Sequence, residues 1–131
     1  MENRYPSVAV LLAAYNGINW IEEQVTSIIS QKNTSIEIFI SVDLSNDKTY
    51  EWCQDFAKEN INIKVLPYGK KFGGAAKNFF RLIRDVDFSR FDYVALADQD
   101  DIWNSGKLHH AIRVIEKDDL DGYSSDVTAF W

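Results

Sequence analysis

The sequence predicts one α/β domain of three layers, an αβα sandwich with a mainly parallel central sheet. Three observations carry this. Four apolar runs alternate with four segments of helical periodicity, the pattern of successive βαβ crossovers. The first run, Val8-Ala9-Val10-Leu11-Leu12-Ala13, is continuously apolar, as a strand covered on both faces must be. The chemically unusual residues each follow one of these runs, where open parallel sheets bind their ligands: Ala14-Tyr15-Asn16-Gly17, then Asp43, then Asp98-Gln99-Asp100-Asp101.

Each element has its own signal. After the first strand, Trp20 to Gln31 carries Trp20, Ile21, Val25, Ile28 and Ile29 as a helical stripe, with Asn19 placed to cap it. Ile36 to Val42 is rich in β-branched residues and reads as the second strand. Ser45-Asn46-Asp47 offers capping chemistry, Ser45 the better placed, to a helix bearing Tyr50, Cys53, Phe56 and Ala57. Ile61 to Leu66 alternates and is stopped by Pro67, which marks a strand nearer the sheet edge. A loop with Gly69, Gly73 and Gly74 leads into a helix from about Ala75 to Val86. Phe91 to Ala97 is the fourth strand, and Lys107 to Lys117 a helix with Leu108, Ala111, Ile112 and Ile115 inward. Asp118 to Gly122 reads as a loop.

At 131 residues the chain fits one domain, and its 46% hydrophobic and 26% charged residues are those of a soluble globular protein. Four Trp, six Tyr and eight Phe exclude a disordered reading. A net charge of −6 argues against nucleic acid as partner, because a phosphate backbone demands basic patches. Cys53 is the single cysteine, so no internal disulfide forms and a reducing compartment is expected. The longest apolar stretch, Val8 to Tyr15, falls far short of the ~20 residues of a spanning helix. The apolar end Ala129-Phe130-Trp131 suggests that the domain, residues 1–131, is truncated at its C-terminal side.

The acidic tetrad is the strongest chemical signal. Three carboxylates in four residues repel one another, and a divalent cation between them, with a phosphate-bearing ligand behind it, would relieve this. A solvated acidic turn is the plainer alternative. Gly17 permits close backbone approach and Tyr15 could bracket a base, or the two form an ordinary βα turn. Asp43 could accept a hydrogen bond from N3–H of uracil or thymine, or cap the following helix. Lys77 opens a helix whose N-terminus attracts anions, and could reach a diphosphate or remain a solvated charge.

Other readings fail. Gly69 and Gly74 have the glycine spacing of a P-loop, but Ala75-Ala76 stands where Lys-Ser/Thr belongs, and no G-x-G-x-x-G follows the first strand. Ile102 and Trp103 break an EF-hand counted from Asp98. His109 and His110 are adjacent on a helix and point apart, and Cys53 reads as a packed thiol. A receiver-like signalling domain needs acidic residues after the first strand, where this chain has Ala14-Tyr15-Asn16.

In order and spacing, the Ala-Tyr-Asn-Gly turn, the Ser-Val-Asp-Leu-Ser-Asn-Asp strand end, the Gly-Ala-Ala-Lys-Asn-Phe helix start and Ala-Asp-Gln-Asp-Asp-Ile-Trp form a pattern. It resembles the inverting family 2 glycosyltransferases of the GT-A (Rossmann-like) fold, and among them the bacterial rhamnosyltransferase type that builds surface polysaccharide. The resemblance runs from about Ser7 to Lys117. It implies that Asp43 binds the base and Tyr15 lies beside the ring, with Ala14 and Asn16 in the same turn. Asp98 and Asp100 would form the D-x-D motif, holding Mn²⁺ or Mg²⁺ against a donor diphosphate, with Asp98 and Gln99 at the nucleotide and Lys77 facing it.

The implied reaction moves a sugar from a UDP- or dTDP-sugar to a saccharide or lipid-linked acceptor, in the cytoplasm or at the inner face of the cell membrane. Two departures stand out. Val42 and Leu44 replace a carboxylate and a glycine usual in the family, leaving the second aspartate, Asp43. The catalytic base is expected from a later segment, and Asp126 is too isolated to fill the role. The chain therefore reads as the nucleotide-binding half of a longer transferase, or as a non-catalytic nucleotide-sugar-binding module.

Overall fold

The computed structural model describes residues 5–98 and 102–122. Within them the chain runs β1 (Ser7–Ala14), α1 (Ile21–Ile29), β2 (Ser35–Val42), α2 (Thr49–Glu59), β3 (Ile63–Val65), α3 (Ala75–Asp85), β4 (Tyr93–Asp98) and α4 (Lys107–Asp118). The strands form one sheet in the order β3-β2-β1-β4, and every pairing is parallel. β1 lies between β2 and β4 and is buried along nearly its whole length, which is why its sequence needs no polar alternation.

The order of strands dictates the layers. The chain steps outward from β1 to β2 to β3, then returns across the sheet to lay β4 on the other side of β1. Right-handed crossovers put helices made in opposite directions on opposite faces. Accordingly Val8, Val10 and Leu12 pack with Ile21, Val25 and Ile28 of α1, Cys53 of α2 and Leu108 and Ile112 of α4. Leu11 and Ala13, pointing the other way, pack with Leu82 of α3 and with Val86. The reversal of direction occurs beside β1, so the crevice for a ligand should open at the C-terminal end of β1.

Register then fixes which side chains reach that crevice. Ala14 pairs with Val42 and Ala13 with Asp98, so Asp43 and Asp98 straddle the end of β1. At ~4.8 Å between neighbouring strands, their backbones are roughly 10 Å apart.

Four local expectations are corrected. The third strand covers only Ile63–Val65, because Ile61 is 88% exposed and the Ile63 N–H donates to the Asn60 carbonyl in a turn. Trp20 is half-exposed at the N-cap of α1 rather than part of its buried stripe. No side chain caps this helix: the Gly17 carbonyl accepts from the Trp20 and Ile21 N–H groups, so Asn19 is not needed as a cap. At α2 the capping work falls to Asp47, whose Oδ1 accepts from the Thr49 N–H at 3.0 Å, while Ser45 turns toward the β1–α1 loop. Among the described residues no helix is long and apolar enough to cross a membrane.

Candidate functional site

A cavity of about 420 Å³ opens where the topology predicts it. Ala13, Ala14 and Tyr15 of β1 and its following turn form the floor, Asp43 and Asp98 flank it, and Gly73, Gly74, Ala75 and Asn78 at the start of α3 form the far wall, with Lys71 at the rim. The structure thus brings Ala14, Tyr15, Asp43 and Asp98 of the sequence-derived set to one cavity. Tyr15 is 47% exposed at its mouth, Asp98 is exposed, and Asp43 is only 4% exposed.

Asp43 is held by backbone alone. Its Oδ1 accepts from the N–H groups of Leu44 (2.9 Å) and Phe72 (2.6 Å), and its Oδ2 from those of Gly73 (3.0 Å) and Gly74 (3.3 Å). Burial by itself would raise the carboxyl's pKa, but these four donors together outweigh it and hold Asp43 below its ordinary value. A carboxylate offers about four lone-pair positions, so all are in use. The positive end of α3 has therefore found an anion, Asp43 itself. Gly73 and Gly74 make this possible: their φ values of 86° and 145° aim successive N–H groups inward, and the second lies where essentially only glycine goes.

The wall behind is stitched by a buried polar network that sequence reasoning missed. Asn78 donates from Nδ2 to the carbonyls of Ser41 (2.9 Å) and Ala14 (3.4 Å) and accepts at Oδ1 from the Ser41 hydroxyl (2.5 Å). Arg81, one turn on, donates to Ser41 Oγ (2.8 Å), the Pro67 carbonyl (2.7 Å) and Asp85 (3.1 Å), with Phe72 beneath its guanidinium. The signal was present: Asn78 and Arg81 stand three apart on the face of α3 that also carries Leu82, where a solvated pair would not sit.

Asn16 and Lys77 are not among the residues lining the cavity. Asn16 has a φ of 45° and ties two turns together, donating its N–H to Ser45 Oγ (3.0 Å) and accepting at Oδ1 from the Asn46 N–H (2.7 Å). Lys77 is exposed on α3, and the cation at the cavity is Lys71. Its signal was a Lys70-Lys71 pair just before the glycines. Gln99, Asp100 and Asp101 lie outside the described residues, as does Asp126.

Asp47 supports the same end of the sheet. It accepts from Thr49 and from the Ile18 N–H (3.2 Å), and these bonds overcome the effect of burial and lower its pKa. Cys53, fully buried, has its thiol pushed up to about 12 by burial and then by the charge of Asp47, so it is an inert packing group.

For a divalent cation, the donor chemistry at the cavity is fitting. Hard cations of the Mg²⁺ and Mn²⁺ kind take one or two carboxylates and leave their other positions to water and substrate phosphate. Asp98, exposed at the strand end, has the chemistry of such a carboxylate; Asp43, saturated by N–H donors, does not. Among the described residues no cluster of three or more His, Cys, Asp or Glu surrounds a single point.

Comparison with known proteins decides the family. The profile described as Glycosyl transferase family 2 matches residues 9–130, nearly the whole chain. The chain belongs to this family. It is 49% identical over 121 residues to a protein of Shigella flexneri described as dTDP-rhamnosyl transferase RfbG, a match covering 92% of this chain and 42% of the relative. A putative teichuronic acid biosynthesis glycosyltransferase of Bacillus subtilis, TuaG, is 32% identical over 82% of this chain and 41% of its own length. The family 2 chain therefore spans less than half the length of these curated relatives.

Among solved structures, TarS 1-349 of S. aureus superposes with a TM-score of 0.72 at 20% identity, covering 95% of this chain and 39% of that one. Its complex with UDP-GlcNAc gives 0.71 at 23%, covering 85% and 31%. A mannosyltransferase of Pyrobaculum calidifontis in complex with GDP-Man and Mn²⁺ gives 0.54 at 21%, covering 64% and 25%. These likenesses establish the GT-A fold.

Proposed function

We propose that this domain is the nucleotide-binding half of a metal-dependent, inverting glycosyltransferase that uses a dTDP- or UDP-sugar and delivers the sugar to a saccharide or lipid-linked acceptor. The observation that carries the reading is the convergence of Tyr15, Asp43, Lys71 and Asp98 on one cavity at the switch point of the sheet. A dTDP-rhamnosyl transferase as a 49% identical relative favours a thymine nucleotide. The catalytic base belongs to the remainder of the longer protein, which works in the cytoplasm or against the inner membrane face.

In this reading the residues divide the donor between them. Tyr15 stacks on the base. Asp43 accepts the N3–H of uracil or thymine by releasing its longest bond, that from Gly74 at 3.3 Å. Ala13 and Ala14 leave room for the ribose, and Lys71 places a positive charge beside the diphosphate. Asp98 and Asp100 would hold Mn²⁺ or Mg²⁺, and the resemblance assigns Gln99 to the nucleotide. The bound cation supplies positive charge against the diphosphate as it departs.

Thermal shifts with dTDP, UDP and GDP, with and without Mn²⁺, test this on the wild type, Asp98→Asn and Asp100→Asn. A ligand at 100 times its dissociation constant adds ~2.7 kcal/mol of stability. The reading expects stabilisation by dTDP or UDP that Mn²⁺ increases, the increase being lost in both variants. No shift with any nucleotide at millimolar concentration would sink it.

A further inference from the structure

Arg81 is a charged residue at a position where packing favours an apolar one. It stands on the buried side of α3 with Asn78 and Leu82 and is only 7% exposed. Taking a guanidinium out of water is costly, and a methionine or leucine would fill the same space without that cost. What those residues cannot do is hold several oxygens at once in a planar fork.

The fork joins three parts of the molecule. Nη1 donates to Ser41 Oγ on β2 (2.8 Å), Nη2 to the Pro67 carbonyl (2.7 Å) and Nε to Asp85 Oδ2 on its own helix (3.1 Å). The Phe72 ring lies against the guanidinium, its centroid 5.0 Å from the central carbon. Pro67 and Phe72 bracket Tyr68 to Lys71, so one side chain holds both sides of the loop that carries the cavity's cation. That loop has little rigidity of its own. Gly69 and Gly73 have φ values of 123° and 86°, and the flexibility that allows such conformations must be overcome to keep them. Lys71 itself is exposed, so its placement depends on the backbone beneath it. The same anchor sets Phe72, whose N–H donates to Asp43 at 2.6 Å.

We infer that Arg81 is a positioning residue for the diphosphate: it fixes the loop from Pro67 to Phe72 so that Lys71 stands at the cavity rim before a nucleotide arrives. The inference rests on the functional reading above. Ordering the loop in the free protein removes an entropy cost that binding would otherwise carry. Arg81 does not line the cavity, so its influence passes through Lys71 and Phe72.

The test is a double-mutant cycle on the 131-residue chain, with dTDP or UDP titrated by calorimetry in Mg²⁺. Arg81→Met keeps the bulk and removes every donor. Arg81→Lys keeps a charge beside Asp85 but loses the fork, and serves alone if the first variant does not fold. Each should weaken binding at least about fivefold, the whole of the Lys71 contribution. Adding Lys71→Met to either should then cost less than about twofold more, although it costs about fivefold in the wild type. Hydrogen exchange at the Phe72 and Gly73 amides should speed up in the unliganded Arg81 variants. Val86→Ala, a core truncation at the end of α3, should lower the melting temperature yet leave affinity within about twofold. Wild-type affinity in the Arg81 variants overturns the inference, as does a Lys71→Met variant that binds as tightly as the wild type. Losses that multiply to about 25-fold in the double variant, or an equal loss in Val86→Ala, also overturn it. A wild type that binds neither nucleotide overturns the functional reading itself.

Discussion

Replacing Asp43 by asparagine keeps the side chain's shape and removes its charge, which makes it the sharpest probe of the cavity wall. The carboxylate now accepts four backbone N–H groups. The asparagine carbonyl can accept two, while its amide nitrogen turns hydrogens toward the other two donors. Hydrogen bonds to a charged acceptor contribute about 1.5–3 kcal/mol each, and neutral ones about 1. Gly73 and Gly74 are exposed, so water recovers part of the loss there. The net cost is then roughly 3 kcal/mol, a fall in Tm of about 10 °C at roughly 4 °C per kcal/mol for a chain this size.

The pH dependence carries the sign. The folded-state pKa of Asp43 lies below its ordinary value of 3.8, so its contribution is complete above that value and disappears as pH falls through the lower, folded one. Melting curves of both proteins by circular dichroism should show a constant gap from about pH 5 to 8 that closes below about pH 4. Acid loss from Asp47, present in both proteins, cancels in the difference. A gap of less than 1–2 °C (about 0.5 kcal/mol) at pH 7, or one that persists undiminished in acid, refutes the clasp.

The remaining predictions concern the same wall and the core. Lys71→Met should weaken nucleoside diphosphate binding about fivefold by calorimetry, the ~1 kcal/mol of a partly exposed ion pair, while Lys77→Met changes it less than twofold. Gly74→Ala should cost about 2 kcal/mol by denaturant unfolding; a Cβ there meets nothing within 4 Å, so the cost is the strain of φ 145°. Cys53 should resist a thiol reagent at pH 8 until the domain unfolds, its labelling rate rising with urea in step with global unfolding; fast labelling of the native protein would contradict its burial.

The parts of the fold legible in the sequence are those governed by burial on both faces. β1 and β2 declare themselves because a central parallel strand has no polar face, and the alternation of elements then fixes the crossovers and the ligand edge. Edge structure is less legible. Ile61 continues an apolar pattern, yet nothing covers it beyond the turn at Asn60, so the third strand begins two residues later. At the site, Asp43 and Asp98 follow from strand ends, whereas Lys71 sits in a loop, whose direction no periodicity encodes. The buried hydrogen bonds of Gln24 to the Asp98 carbonyl and of Gln31 to the Asn104 carbonyl were hidden for a related reason. A polar residue on a helix looks solvated until its partner is known, although Gln24, three residues after Ile21 and four before Ile28, stands in the buried stripe.

The most direct measurement of the central claim is nuclear magnetic resonance mapping of amide shifts in this chain on adding dTDP or UDP, with and without Mg²⁺. Shifts should concentrate at Ala13–Tyr15, Asp43, Gly73–Gly74 and Asn78 with either nucleotide, and extend to Asp98 only when the cation is present. Shifts centred elsewhere on the surface, or a Mg²⁺-independent response at Asp98, would contradict a nucleotide and a cation sharing the end of β1.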